Sequence, residues 1–370
     1  TARPRSAWSV PEARVRSSRS SANTSRPRVR SPVPPLAGIT NLDDMNVLPL
    51  RTGDAGDAVR DLQQRLTALG LDTSAEPRGI FGSQTAVAVE AFQHQRGLPS
   101  SGQCDAPTWT ALVEAGYQLG DRHLYLRSPM FRGDDVAEMQ RALGTLGFNA
   151  GRVDGILGPN TERALRDFQR NAGLTADGVC GREVLTSLAR LGSPPNRLTN
   201  VAGVREREHL RSQPPLLNGR RIVVGEAGGL DVLVTAIERV LQDAGAVVAV
   251  LHHPHPSVHA VEANDFEADL YLSLALVDQG PCEAAFYATT GFESAGGKQF
   301  ATILTNDLRQ IDALEVADPI GRWLPILRET RMPAVVCTLY PTDVVVAQTA
   351  ALAAAIHRAL SEWVRAPIDP

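Results

Sequence analysis

The chain has 370 residues, enough for two or three domains, and its 43% hydrophobic content is ordinary for a protein that buries a core. A net charge of −4 excludes a general nucleic-acid binder, which needs a basic surface. No run approaches the ~18 apolar residues of a membrane span, and Cys104, Cys180, Cys282 and Cys337 form no C-x-x-C pair, so a reducing compartment is the simpler setting.

The first 40 residues carry eight Arg against one acid, Glu12. Residues 1–44 are rich in Arg, Ser and Pro without apolar periodicity, which reads as a disordered tail, with an anionic-surface tether as the sharper alternative. No apolar stretch follows these arginines, so no secretory signal is recognised and a cytoplasmic location is expected. The sequence starts without Met, whereas Met45 stands just ahead of the first periodic segment, consistent with an over-extended reading frame.

Residues 45–117 and 124–192 are two copies of one unit. Gly56-Asp57-Ala58-Val59 returns as Gly133-Asp134-Asp135-Val136, and Leu62, Gln63, Leu66, Leu69 and Gly70 return as Met139, Gln140, Leu143, Leu146 and Gly147. After a one-residue slip, Gly79, Gly82, Thr85, Phe92, Gln93, Gly102 and Cys104 match Gly155, Gly158, Thr161, Phe168, Gln169, Gly178 and Cys180. Val59, Leu62, Leu66 and Leu69 recur at helical spacing, and Gly70 is placed to end that helix in a left-handed conformation. A second helix carries Ala88, Val89 and Phe92, or Ala164, Leu165 and Phe168, with Ser83 or Thr85 and Asn160 or Thr161 placed to cap it. Trp109 and Leu112, or Leu185 and Leu188, supply a third.

The segment GDDVAEMQRALGTLGF…VDGILGPNTERALRDFQRNAGLTADGVCG resembles the peptidoglycan-binding domain 1 family. The resemblance implies small helical modules that dock on glycan or stem peptide, with Asp154, Gly155, Gly158, Thr161, Phe168 and Gln169 as ligand-binding candidates in the second copy. The first copy reads Pro77-Arg78-Gly79 where the second has Val153-Asp154-Gly155, so its turn lacks the Asp. The plainer alternative for both copies is a spacer or a protein-binding surface.

Residues 193–220, with Pro194-Pro195, Pro214-Pro215 and the charged run Arg205–Glu208, read as a linker. From 221 to 365, apolar strands alternate with amphipathic stretches, which predicts an α/β domain with a central sheet flanked by helices. Expected strands are Ile222–Val224, Val247–Leu251, Leu270–Leu276, Ala284–Ala288 and Ala334–Leu339. Expected helices lie in Val232–Ala244, Ser294–Gln310 and Val344–Val364. The fold class is therefore multidomain: two all-α three-helix modules ahead of an α/β domain.

The runs RRIVVGEAGG, ADLYLSLA and LRETRMPAVVCTLYPTD are similar in order and spacing to the zinc-dependent N-acetylmuramoyl-L-alanine amidase family of the amidase_3 type. That resemblance implies a zinc held by two His and one Glu, with a further Glu moving the proton. At the matching positions the first His is replaced near Ala227, the second His by Ala275 and the catalytic Glu by Thr338, while Gly229 runs almost directly into the helix where the ligand Glu belongs. The expectation is a degenerate amidase without zinc or another cofactor. Its helical modules would bind peptidoglycan fragments or wall precursors, or cell-wall biosynthetic enzymes, and its amidase-like fold would serve as a docking platform with its surface near Glu226, Ala227, Ala275 and Thr338; the alternative is an active zinc amidase. Two rescue ligand sets are considered apart, Glu226 or Asp231 on one side and the loop histidines His252, His253, His255 and His259 on the other, with Pro254 and Pro256 making that loop irregular. Cys337 and Thr338 lack an assignable base and are expected to pack.

Overall fold

The computed structural model describes residues 48–191, 201–289 and 292–366; the tail at 1–44 and the first part of the linker lie outside them. The first module folds as α1 (Asp57–Ala68), α2 (Ser83–Arg96) and α3 (Ala106–Ala115), the second as α4 (Asp134–Thr145), α5 (Pro159–Asn171) and α6 (Arg182–Leu191). Val59, Leu62, Leu66, Val89, Phe92 and Leu112 are buried together, and Val136, Met139, Leu143, Leu165 and Phe168 form the counterpart core. Gly70 and its repeat partner Gly147 are left-handed at φ 86° and 89°, as the helix-stop reading requires.

The repeated Gln and Gly residues form a hydrogen-bond clamp. In the second module the Gln140 side chain accepts from Gly155 N–H at 2.8 Å and donates to Asp154 Oδ1, Ile156 O and Thr161 Oγ1. Gln169 accepts from Gly178 N–H at 2.8 Å and donates to Asp177 and Val179 O. Gln63 and Gln93 do the same in the first module with Gly79 and Gly102. Each clamp turns the chain through a positive φ, 67° at Gly155, where an added Cβ would stand 2.9 Å from Gly133 O. In the first copy, which lacks the Asp, Gln63 has the Pro77 carbonyl at 3.5 Å in its place and donates to Ile80 O and Thr85 Oγ1 as Gln140 does to Ile156 and Thr161.

Helix capping differs from expectation. Gly82 and Gly158 are the N-caps of α2 and α5, and Thr85 and Thr161 lie inside the helices, buried. In the first module the Glu76 carboxylate takes the cap's place, accepting from the N–H groups of Gly82, Gln84 and Thr85.

Within the expected linker, Val201–Ser212 is a helix, α7, which packs on the last domain. Glu206 accepts from Ser294 Oγ at 2.6 Å and from Ala295 N–H at 3.2 Å, serving the amino end of α10 (Ala295–Leu308). The α/β domain has strands β1 (Arg221–Glu226), β2 (Val247–His252), β3 (Leu270–Leu276), β4 (Glu283–Thr289), β5 (Phe292–Glu293), β6 (Ile320–Arg322) and β7 (Ala334–Leu339). The sheet order is β2-β1-β3-β7-β4-β5, with β6 paired to β4. β2, β1, β3 and β7 run parallel, and β4 is antiparallel to β7. Alternate strand residues face opposite sides of the sheet. Ile222, Val224, Leu270 and Leu272 pack on α8 (Asp231–Asp243), α10 and α13 (Thr349–Trp363). Val223, Tyr271 and Tyr287 face α9 (Pro256–Asp265) and α11 (Pro325–Glu329). The expected closing helix is broken into α12 (Thr342–Ala347) and α13, and β5, β6, α9 and α11 are additional to the sequence reading. No helix among the described residues is long and apolar enough to cross a membrane.

The first module shares one continuous core with the α9–α11 face of the sheet. Arg328 of α11 stands at the junction, 3% exposed. It pairs with Glu114 of the first module at 2.5 Å, donates to the Asp154 and Gly155 carbonyls of the second, and lies over the Trp323 ring. Tyr287 donates to Val153 O at 2.9 Å, Arg152 donates to Thr330 O, Arg132 pairs with Glu329, and Arg96 pairs with Asp134 between the modules.

Candidate functional site

In parallel sheets covered by helices, ligands gather at the carboxyl ends of the strands. Here that edge carries Glu226, His252, Ala275 and Thr338, at or near the ends of β1, β2, β3 and β7. Ala275 and Thr338 are register partners, half-buried, on the side of the sheet that α9 covers. Ala227 sits on the exposed turn after β1. A methyl group at Ala227 and Ala275 and a hydroxyl at Thr338 supply neither imidazole nor carboxylate.

Glu226 does not join Ala275 and Thr338. Strand alternation turns it to the opposite side, toward α8, and it is 2% exposed. One carboxylate oxygen accepts from Gly228 N–H at 2.7 Å and Leu230 N–H at 3.3 Å. The other lies 2.7 Å from His252 Nδ1, because β1 and β2 pair with Glu226 opposite His252. Asp231, the first residue of α8, brings Oδ1 to 3.7 Å from the same nitrogen. The two rescue ligand sets treated as separate in the sequence thus meet, and the three donor atoms lie within 4.8 Å of one another. Register between two strands, invisible in a single sequence, is what joins them.

Burial pushes the Glu226 carboxyl up, but hydrogen bonds from His252, Gly228 and Leu230 outweigh it and leave the group below its ordinary 4.5. A lowered folded-state value means that the charged form favours the native state above that pH and loses the contribution as pH falls through the lowered value. Glu226→Gln is therefore expected to flatten the acid limb of the stability curve below pH 4.5, measured by urea unfolding across a pH series. An unchanged acid limb would show that other carboxylates set it.

The remaining histidines divide. Pro256, expected to keep the loop irregular, is instead the first residue of α9, where its missing N–H costs nothing. His259 consequently lies inside that helix, 3% exposed, with Nδ1 2.8 Å from the Tyr271 hydroxyl. Burial, and then the neighbouring His253, lower its pKa, so it is neutral. Gly225 is required beneath this pair, since a methyl group there would run into the Tyr271 hydroxyl and the His259 ring. Cys337 is buried in the sheet core, as its packing role requires.

The ligand candidates of the second module lie mostly inside it. Thr161, Phe168 and Gln169 are 2%, 1% and 2% exposed, and the polar atoms of Thr161 and Gln169 are engaged within the module. Gly155 is buried against Gly133 and Arg328, and Gly158 begins α5. Asp154 bonds Gln140 and Ile156 N–H; burial lifts its carboxyl above the ordinary range against the pull of those bonds. The sequence matches at these positions reflect the clamp that builds the module.

Residues 55–112 and 132–188 match the family described as "Putative peptidoglycan binding domain". The chain is 35% identical over 328 residues to N-acetylmuramoyl-L-alanine amidase CwlM of Mycobacterium tuberculosis, covering 77% of this chain and 80% of that protein. It is 30% identical over 163 residues to the amidase CwlL of Bacillus licheniformis, which spans 38% of this chain and 45% of that one. The solved N-acetylmuramoyl-L-alanine amidase AmiC2 of Nostoc punctiforme aligns over 40% of this chain and 99% of its own, with 17% identity and a TM-score of 0.34. The chain belongs to the CwlM-type family of N-acetylmuramoyl-L-alanine amidase relatives, cell-wall proteins that join peptidoglycan-binding modules to an amidase-like domain.

Proposed function

We propose that this protein binds peptidoglycan or its precursors without cutting them, and that its amidase-like domain serves as a platform rather than a catalyst. The observation that carries the reading is the pair Ala275 and Thr338, side by side on β3 and β7 where the resemblance calls for a zinc-ligating His and a proton-transferring Glu. With Ala227 on the first turn, the residues present do not fit the family's zinc. Without a metal held over the Ala275–Thr338 edge to lower the pKa of a bound water, no nucleophile is generated there at neutral pH. The docked modules support a platform role, since Arg328 and Tyr287 tie them to the same domain. Cell-wall biosynthetic enzymes are a second class of partner for such a platform.

The test is co-sedimentation of the full chain with purified peptidoglycan, with stem-peptide release followed in the same tubes with and without added zinc. The expected result is retention without release. Zinc-dependent release of stem peptide would overturn this reading and establish the alternative, a working amidase.

A further inference from the structure

We propose that Glu226, Asp231 and His252 form a divalent transition-metal site on the α8 side of the sheet, turned away from the Ala275 and Thr338 positions. The site stands apart from the peptidoglycan-binding reading and does not depend on it.

The geometry is that of a site with one position set and two adjustable. Glu226 is fixed: its Oε2 is held by the Gly228 and Leu230 N–H groups, which leaves Oε1 directed at the imidazole. His252 Nδ1 lies 2.7 Å from that oxygen and 3.7 Å from Asp231 Oδ1. Metal–ligand bonds of about 2.0–2.1 Å at tetrahedral angles require donor atoms about 3.3 Å apart. The two observed spacings bracket that value, so small side-chain rotations of His252 and Asp231 complete three ligands. Both side chains have room to rotate, being 50% and 76% exposed, and their exposure gives an ion a direct route in and leaves a fourth position for water. One imidazole with two carboxylates suits zinc, cobalt or manganese better than calcium or magnesium. Two negative ligands also outweigh the positive amino end of α8, which would otherwise repel a cation.

The site adjoins Ala227 and the start of α8 but is turned away from the positions on β3 and β7. Ala275 and Thr338 face α9, whereas Glu226 faces α8. The neighbouring His253 and His255 belong to the loop beyond β2, with ring centroids 5.3 Å apart, and are outside the cluster.

The test is titration of the full chain with zinc by calorimetry, and with cobalt by visible absorption, for the wild type, His252→Ala, Asp231→Asn and the double variant His253→Ala/His255→Ala. The expected result is one ion per chain, at least tenfold weaker binding in His252→Ala and Asp231→Asn, and unchanged binding in the double variant. His252 and Asp231 are exposed, so these variants keep the fold, which circular dichroism verifies. No uptake by the wild type overturns the proposal. So does uptake that survives His252→Ala but is lost with His253 and His255, which would mean a loop-histidine site only. Peptidoglycan co-sedimentation of the same His252→Ala protein is expected to be unchanged, so failure of either reading is seen separately.

Discussion

Arg328→Met is expected to cost about 3–5 kcal/mol of stability, because removing one member of a buried ion pair strands the other in a medium that cannot solvate it. Arg328 and Glu114 are 3% and 5% exposed. The same guanidinium donates to the Asp154 and Gly155 carbonyls, so its loss strips acceptors from the second module as well. Arg328→Lys is not expected to rescue, since a point charge cannot serve two carbonyls and a carboxylate from a planar fork. The double variant Arg328→Met/Glu114→Leu is expected to regain much of the loss, as apolar replacement of both members of a buried pair often does. Guanidinium unfolding of the full chain reads all of these. In Arg328→Met the single transition of the shared core is expected to separate, modules from α/β domain. A loss within about 0.5 kcal/mol, the range of ordinary surface changes, would mean that the apolar contacts alone hold the junction.

The second large effect is expected at Gln140. Replacing it with Leu keeps the volume but removes the acceptor of Gly155 N–H and the donor to Asp154, Ile156 and Thr161. The stranded Gly155 N–H alone is worth about 1–3 kcal/mol. Thr186→Ala, which removes an exposed hydrogen bond on α6 of the same module, is the control and is expected to change little. Since Arg328 binds the Asp154 and Gly155 carbonyls at this very turn, Gln140→Leu and Arg328→Met are expected to be non-additive in a double-mutant cycle. Additive losses would show that the clamp and the junction act independently.

The modules were legible because they occur twice: a buried position repeated in register announces itself without any partner being known. Their strand-and-helix successor was legible where apolar runs were long, as at Leu270–Leu276 and Ala334–Leu339, both found with the expected ends. Short elements escaped for a physical reason. β6 is three residues and α11 five, too short to carry a period, and both are formed by what they pack on. The Gln and Gly matches, ligand candidates in the sequence, build the clamp, since a residue that recurs for folding and one that recurs for binding look alike in a repeat. Arg328 was unremarkable in sequence; its partner Glu114 is 214 positions away, and no local rule connects them. The same holds for His252 and Glu226, joined only by strand register.

The Arg96–Asp134 pair and the Arg328 junction leave the two modules with a single separation and a single mutual orientation. A flexible tether would let each search a volume independently and make a second attachment a matter of effective concentration. Here the second attachment is a matter of fit. A polymer or partner engaging both modules at once would have to present its two points at the protein's own spacing.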